Sequence, residues 1–171
     1  MNPPVMVLLA AFVPMLIEAW RSRRNEHVLR LAGAVEPAGD VYRIMQIAYP
    51  ACFLAVAAEG WLRGVTMDRT FFVGGAVFVV AKALKYWAIG SLGARWTFRV
   101  LVPPDARLVT DGPYRYFRHP NYIGVAGELV GAAVMAHAPL SGAVAVVGFG
   151  ALMLARVRIE ERALDVCARE S

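Results

Sequence analysis

Cysteine is nearly missing from this sequence: Cys52 lies inside an apolar run, Cys167 stands in the tail, and no CxxC spacing occurs. Neither a disulfide framework nor a zinc site is implied, and no metal is expected. Histidine is confined to His27, His119 and His137. No Gly-rich loop of the GxGxxG or Walker type is present, so a nucleotide-like ligand has to be held in another way. Internal repeats and low-complexity tracts are missing too, and the apolar runs show little of the alternation that marks strands.

What fills the chain instead is apolar sequence, 58% of 171 residues against about 45–50% in soluble domains. Five runs carry it, at about 3–20, 44–62, 70–92, 123–138 and 140–155. They are rich in Ala, Val, Leu and Gly, and against a hydrocarbon core about 30 Å thick they read as membrane helices. The last two, at about 16 residues each, reach roughly 24 Å, and "HAPLSG" between them offers Pro139 and Gly142 as breakers. The expectation is an all-α integral membrane protein, one domain over residues 1–171, with five transmembrane helices of which the last two form a helical hairpin. The first run has no basic residue before it and "RSRR" after it, the reverse of a secretory signal, so it is expected to be retained as a span.

A net charge of +5 does not call for nucleic acid, because the basic residues cluster between the apolar runs and form no stripe. Arg21, Arg23, Arg24, Arg30 and Arg43 follow the first run, Arg95, Arg99, Arg107, Arg115 and Arg118 the third, and Arg156, Arg158, Arg162 and Arg169 close the chain. Only Arg63 and Arg69 separate the second run from the third. By the positive-inside rule, the N-terminus is expected outside and the C-terminus in the cytoplasm. Lys82 and Lys85, three apart on one face of the third run, are expected to snorkel to the interface. Glu128 is placed to pair with a lysine or line a polar cavity, Glu18 and Glu59 to sit at the interface, and Gly124, Gly127 and Gly131 to allow a close helix contact.

Two polar stretches remain. In "DGPYRYFRHPNYIG", residues 111–124, the "DGP" is turn chemistry and Pro120 biases His119 away from helical backbone. Such a bend at a membrane face presents Tyr114, Tyr116, Arg118, His119 and Tyr122 together, either as belt residues or as contacts for an aromatic, partly anionic ligand. In "RVRIEER", residues 156–162, Arg156 and Glu160 stand four apart on one helical face, an ordinary surface pair when taken alone.

In sequence, "LVTDGPYRYFRHPNYIG", an apolar hairpin and "RVRIEE" resemble the isoprenylcysteine carboxyl methyltransferase family, integral membrane enzymes that use S-adenosylmethionine. The likeness covers residues from about 84 to 165 and rests on RHPxYxG followed by RxxxEE. It implies a five-helix core whose cytoplasmic end holds the cofactor, in a bacterial inner membrane. It also implies cofactor contacts from Leu108, Val109, Tyr114, His119, Pro120, Asn121, Tyr122 and Glu160, with Arg156 facing the methyl acceptor. Asn121 occupies the variable position of RHPxYxG. The implied acceptor is a lipophilic small molecule reached from the membrane lipids: a prenylcysteine carboxylate, a phospholipid amine, or the hydroxyl of an alkylated pyrone or resorcinol. The stretch "RNEHVLRLAGAVEPAGDVYRI" is similar to the first loop of bacterial relatives associated with that last class, although Asp40, Val41 and Tyr42 stand where those carry His-Tyr-Pro. A nicotinamide-dependent membrane reductase, a non-enzymatic membrane scaffold and a bis-histidine haem protein are the competing classes; His137, expected near the outer face, fits the last poorly.

Overall fold

The computed structural model describes residues 2–104 and 109–170, with side chains as far as Arg162. Five helices form the body: α1 (Pro3–Leu31), α2 (Tyr42–Leu62), α3 (Arg69–Leu92), α4 (Pro120–Met135) and α5 (Pro139–Glu170). Short 3-10 turns at Gly93–Arg95 and Gly112–Arg115 punctuate the long α3–α4 connection. Among the described residues, the one extended pairing is an antiparallel bridge between Val35 and Val102. Four of the helices, all but α4, are long and apolar enough to cross a membrane. The fourth apolar run yields a helix of 16 residues, about 24 Å of rise.

Helix α4 is held mainly by α3, and small residues bring the two together as the spacing of Gly124, Gly127 and Gly131 suggests. A methyl group added at Gly131 would lie 2.6 Å from the Phe78 nitrogen, and one at Gly127 would lie 2.7 Å from the Ala81 Cβ. Gly74 answers from α3: a Cβ there would collide with the backbone nitrogen of Met135. In a bilayer such contacts replace the hydrophobic effect as the source of helix association, because lipid tails are as apolar as leucine. Aromatic packing ties α2 to α5, with the Tyr49 ring 5.0 Å from both Phe53 of its own helix and Phe149 of α5.

The hairpin turn differs in detail from its expected breakers. The chain turns at Ala136–Ala138, where His137 takes φ 49°, while Pro139 opens α5 and Gly142 lies within its first turn against Ala133. Pro139 suits a first helical position because its missing N–H would have no intrahelical partner there. Glu59 of α2 then caps α5 by accepting from the Ser141 nitrogen at 2.7 Å and the Ser141 hydroxyl at 2.6 Å. A carboxylate there offsets the positive end of the helix dipole.

The lysines do not snorkel. Lys85 is 2% exposed, as is Glu18, and Glu128 is 1% exposed. The Lys85 Nζ lies 2.7 Å from Glu18 Oε2 and 3.5 Å from Glu128 Oε1, and the Lys82 Nζ 2.7 Å from Glu128 Oε2 and 3.3 Å from Glu18 Oε1. Tyr49 of α2 donates to Glu128 at 2.5 Å. Carboxylates from α1 and α4 are within reach, so inward pairing satisfies both ammonium groups better than extension to a distant interface. Glu18 is accordingly buried, not interfacial. Two cations and two anions leave the cluster neutral, the condition under which buried charge is tolerated.

Candidate functional site

At the end of the bundle where α1 and α3 finish and α4 begins, a cavity of about 580 Å³ opens among all five helices. Its apolar part is lined by Phe12, Met15 and Leu16 of α1, Met45 and Pro50 of α2, and Phe149 of α5. Its polar part gathers the two motif stretches: Tyr114, His119, Asn121 and Tyr122 from one, Arg156 and Glu160 from the other.

Local sequence builds each wall. Gly112 at φ 59° turns the chain into the Gly112–Arg115 turn, and Tyr114 reaches the cavity from it. Burial first, and then the negative charge of Glu160, pushes the Tyr114 phenol well above its ordinary pKa, so it is a neutral hydrogen-bonding group at physiological pH. His119 sits at φ −131°, ψ 62°, outside helical backbone, and caps α4, while Pro120 takes the first helical position; the clash of a proline ring with the preceding residue produces this bend. The His119 carbonyl accepts from the Tyr122 nitrogen at 3.1 Å, and its ring lies 5.7 Å from that of Tyr122.

Against this wall, α5 carries Arg156 and Glu160 one turn apart. Glu160 Oε1 accepts from the Tyr122 hydroxyl at 2.5 Å and from Arg156 Nε at 3.1 Å. Glu160 Oε2 is 3.9 Å from His119 Nδ1, and Glu161 Oε1 is 3.3 Å from His119 Nε2. The His-Pro bend and the Arg-Glu helix therefore meet directly. The Asn121 Oδ1 is buried and receives no hydrogen bond, an acceptor left without a partner.

Of the residues expected at a cofactor site, Val109, Tyr114, His119, Asn121, Tyr122 and Glu160 line this one cavity together with Arg156. Pro120 is fully buried under the first turn of α4 and stands behind the wall. Leu108 lies outside the described residues. His137 is at the opposite end of α4, its Nε2 3.1 Å from Asp68 Oδ1, so it and His119 are a helix length apart.

Sequence reasoning missed the contribution of the first half of the chain. Tyr42, Met45 and Tyr49 fall at three- and four-residue steps along α2 and line the cavity, as do Trp96, Phe98 and Arg99 of the α3–α4 connection. That connection is fixed by polar residues of α1: Asn25 donates to the carbonyls of Trp96 at 2.7 Å and Gly93 at 3.1 Å, and the Ser22 hydroxyl accepts from the Phe98 nitrogen at 2.8 Å. The readable signal was Ser22 and Asn25 on one face of a helix that continues past its apolar run.

The isoprenylcysteine carboxyl methyltransferase (ICMT) family matches residues 74–166 of the chain. The uncharacterized protein YpbQ of Bacillus subtilis is 30% identical over 144 residues, covering 84% of this chain and 86% of that protein. An uncharacterized protein of Haemophilus influenzae is 25% identical over 145 residues, 84% of each chain. No solved structure matches the chain.

Proposed function

The chain belongs to the isoprenylcysteine carboxyl methyltransferase family, and from that premise we propose that it transfers a methyl group from S-adenosylmethionine to an oxygen of a lipophilic acceptor. The observation that carries this reading is the joining of Tyr122, Glu160 and Arg156 around one cavity, with Glu160 accepting from both neighbours. The cavity residues suit the cofactor in kind. Glu160 is a carboxylate for its ammonium, Asn121 Oδ1 an acceptor still open, and Tyr114, His119 and Tyr122 are flat rings for its adenine and sulfonium.

When bound, S-adenosylmethionine supplies an electrophilic methyl group on a positively charged sulfur. Everything else falls to the protein. Arg156, 6% exposed, offers N–H groups to an anionic acceptor oxygen and holds it in line. Phe12, Met15, Met45 and Phe149 take the apolar body of the acceptor and keep water from the reacting oxygen. The preferred acceptor is the phenolic or enolic hydroxyl of an alkylresorcinol or alkylpyrone, acidic enough to give its proton to solvent so that Arg156 holds the oxyanion, while the donor departs as neutral S-adenosylhomocysteine. Five spans, with the N-terminus outside and the C-terminus in the cytoplasm of a bacterial inner membrane, put Arg21–Arg24, Arg95, Arg99 and the cavity on the cytoplasmic side.

The test incubates purified protein in detergent with methyl-labelled S-adenosylmethionine and 5-dodecylresorcinol, an alkylated hydroxypyrone, N-acetyl-S-farnesylcysteine or phosphatidylethanolamine. Label on an acceptor oxygen is the expected result. Label on the phosphatidylethanolamine amine alone would contradict oxygen transfer. Stabilisation by NADPH with none by S-adenosylhomocysteine would turn the assignment to a reductase.

A further inference from the structure

Asp40 ends the α1–α2 connection, far in sequence from both motif stretches, yet its side chain is 4% exposed. A carboxylate that deep persists only where its charge and lone pairs are met. Its Oδ1 accepts from the Tyr42 nitrogen and its Oδ2 from the Val100 nitrogen, both at 3.0 Å, which ties the start of α2 to the α3–α4 connection. Its Oδ1 also lies 4.0 Å from Arg156 Nη1.

That third contact is not needed for loop anchoring, which the two backbone N–H groups bound by the carboxylate oxygens already supply. It places a second negative charge on Arg156, whose other carboxylate is Glu160 at 3.1 Å. On the reading given under Proposed function, Glu160 must also receive the ammonium of the cofactor. One carboxylate would then serve two cations in a pocket of low polarity, where Arg156 would draw Glu160 to itself and compete with the ligand.

We infer that Asp40 is a positioning residue: it shares the Arg156 guanidinium with Glu160 and so leaves Glu160 able to bind the cationic amino-acid end of the methyl donor. Asp40 does not itself line the cavity. It acts through Arg156, and its second task, pinning Val100, keeps the connection that bears Trp96 and Phe98 in place over the site.

The experiment is a cycle of calorimetric titrations with S-adenosylhomocysteine on the full chain in detergent: unmodified, Asp40→Asn, Arg156→Gln, and both together. Asp40→Asn is expected to weaken binding about tenfold when Arg156 is present and less than about twofold when Arg156 is already Gln. Damage to the loops would appear equally in both backgrounds, so an equal loss in each overturns the inference while the proposed function stands. Unmodified protein that does not bind S-adenosylhomocysteine removes the proposed function and this inference with it. Should Asp40→Asn fail to fold, Asp40→Ser, which keeps an uncharged oxygen acceptor, carries the same cycle and the same expected asymmetry.

Discussion

Replacing Lys85 by Met removes one of two cations from the cluster that joins α1, α3 and α4, and the structure fixes what should follow. Lys85 is 2% exposed and its Nζ stands 2.7 Å from Glu18 and 3.5 Å from Glu128. With the side chain gone, two buried carboxylates share Lys82 alone, and one excess negative charge is left in the cluster. Breaking a buried pair in this way costs about 3–5 kcal/mol. At about 2–4 °C per kcal/mol for a chain of this size, the melting temperature should fall by roughly 6–20 °C. Adding Glu18→Gln restores neutrality through the remaining Lys82–Glu128 pair, 2.7 Å apart, so the double variant should melt well above Lys85→Met alone. The assay is thermal unfolding in one detergent, followed by tryptophan fluorescence. A Lys85→Met protein that melts within about 2 °C of the unmodified chain, or a double variant that melts lower still, would refute the cluster as a balanced buried network.

Gly74→Ala should destabilise the chain by about 1–3 kcal/mol, since the added carbon meets the Met135 nitrogen and the Gly131 carbonyl, backbone atoms that cannot rotate away; Gly90→Ala, facing open space on the same helix, is the control that should leave melting unchanged or slightly raised. Glu36 joins Arg30 at 2.6 Å and Arg99 at 2.7 Å. Burial works to raise its pKa, but the two guanidiniums outweigh it and hold the carboxyl below 4.5. A depressed folded pKa gives stability that is present above the unfolded value and is lost as pH falls through the folded one. The melting difference between the unmodified chain and Glu36→Gln should therefore be constant above about pH 5, worth about 1 kcal/mol or less for this partly exposed site, and vanish under more acid conditions. A difference that grows on acidification would show the sign to be wrong.

The membrane helices and the motif stretches were legible because their signals are local. Apolar runs announce α1, α2 and α3, Pro120 dictates the His119 bend, and the four-residue step from Arg156 to Glu160 sets them on one face. The small residues at 124, 127 and 131 likewise foretold a close contact, although only the fold names α3 as the partner. What the chain did not disclose depends on neighbours distant in sequence. Lys82 and Lys85 read as interfacial until Glu18 and Glu128 are brought beside them from other helices. Asp40 stands out in the sequence only as a departure from His-Tyr-Pro, until the fold brings Arg156, near the far end of the chain, to within 4.0 Å of it. Asn121 occupies a variable motif position, yet it lines the cavity and its buried oxygen has no hydrogen-bond partner. The helices also outrun their apolar runs: α1 continues through Arg21–Leu31, and its polar face, with Ser22 and Asn25, organises the connection over the site.

The most direct test of a methyl donor held between the His-Pro bend and α5 is the equilibrium affinity for S-adenosylhomocysteine, measured on the unmodified protein and on Glu160→Gln, which keeps the shape of the side chain but not its charge. The account predicts saturable one-site binding that weakens tenfold or more in the variant, the size of a lost charge-assisted hydrogen bond. No saturable binding by the unmodified protein, or equal affinity in both, would contradict it.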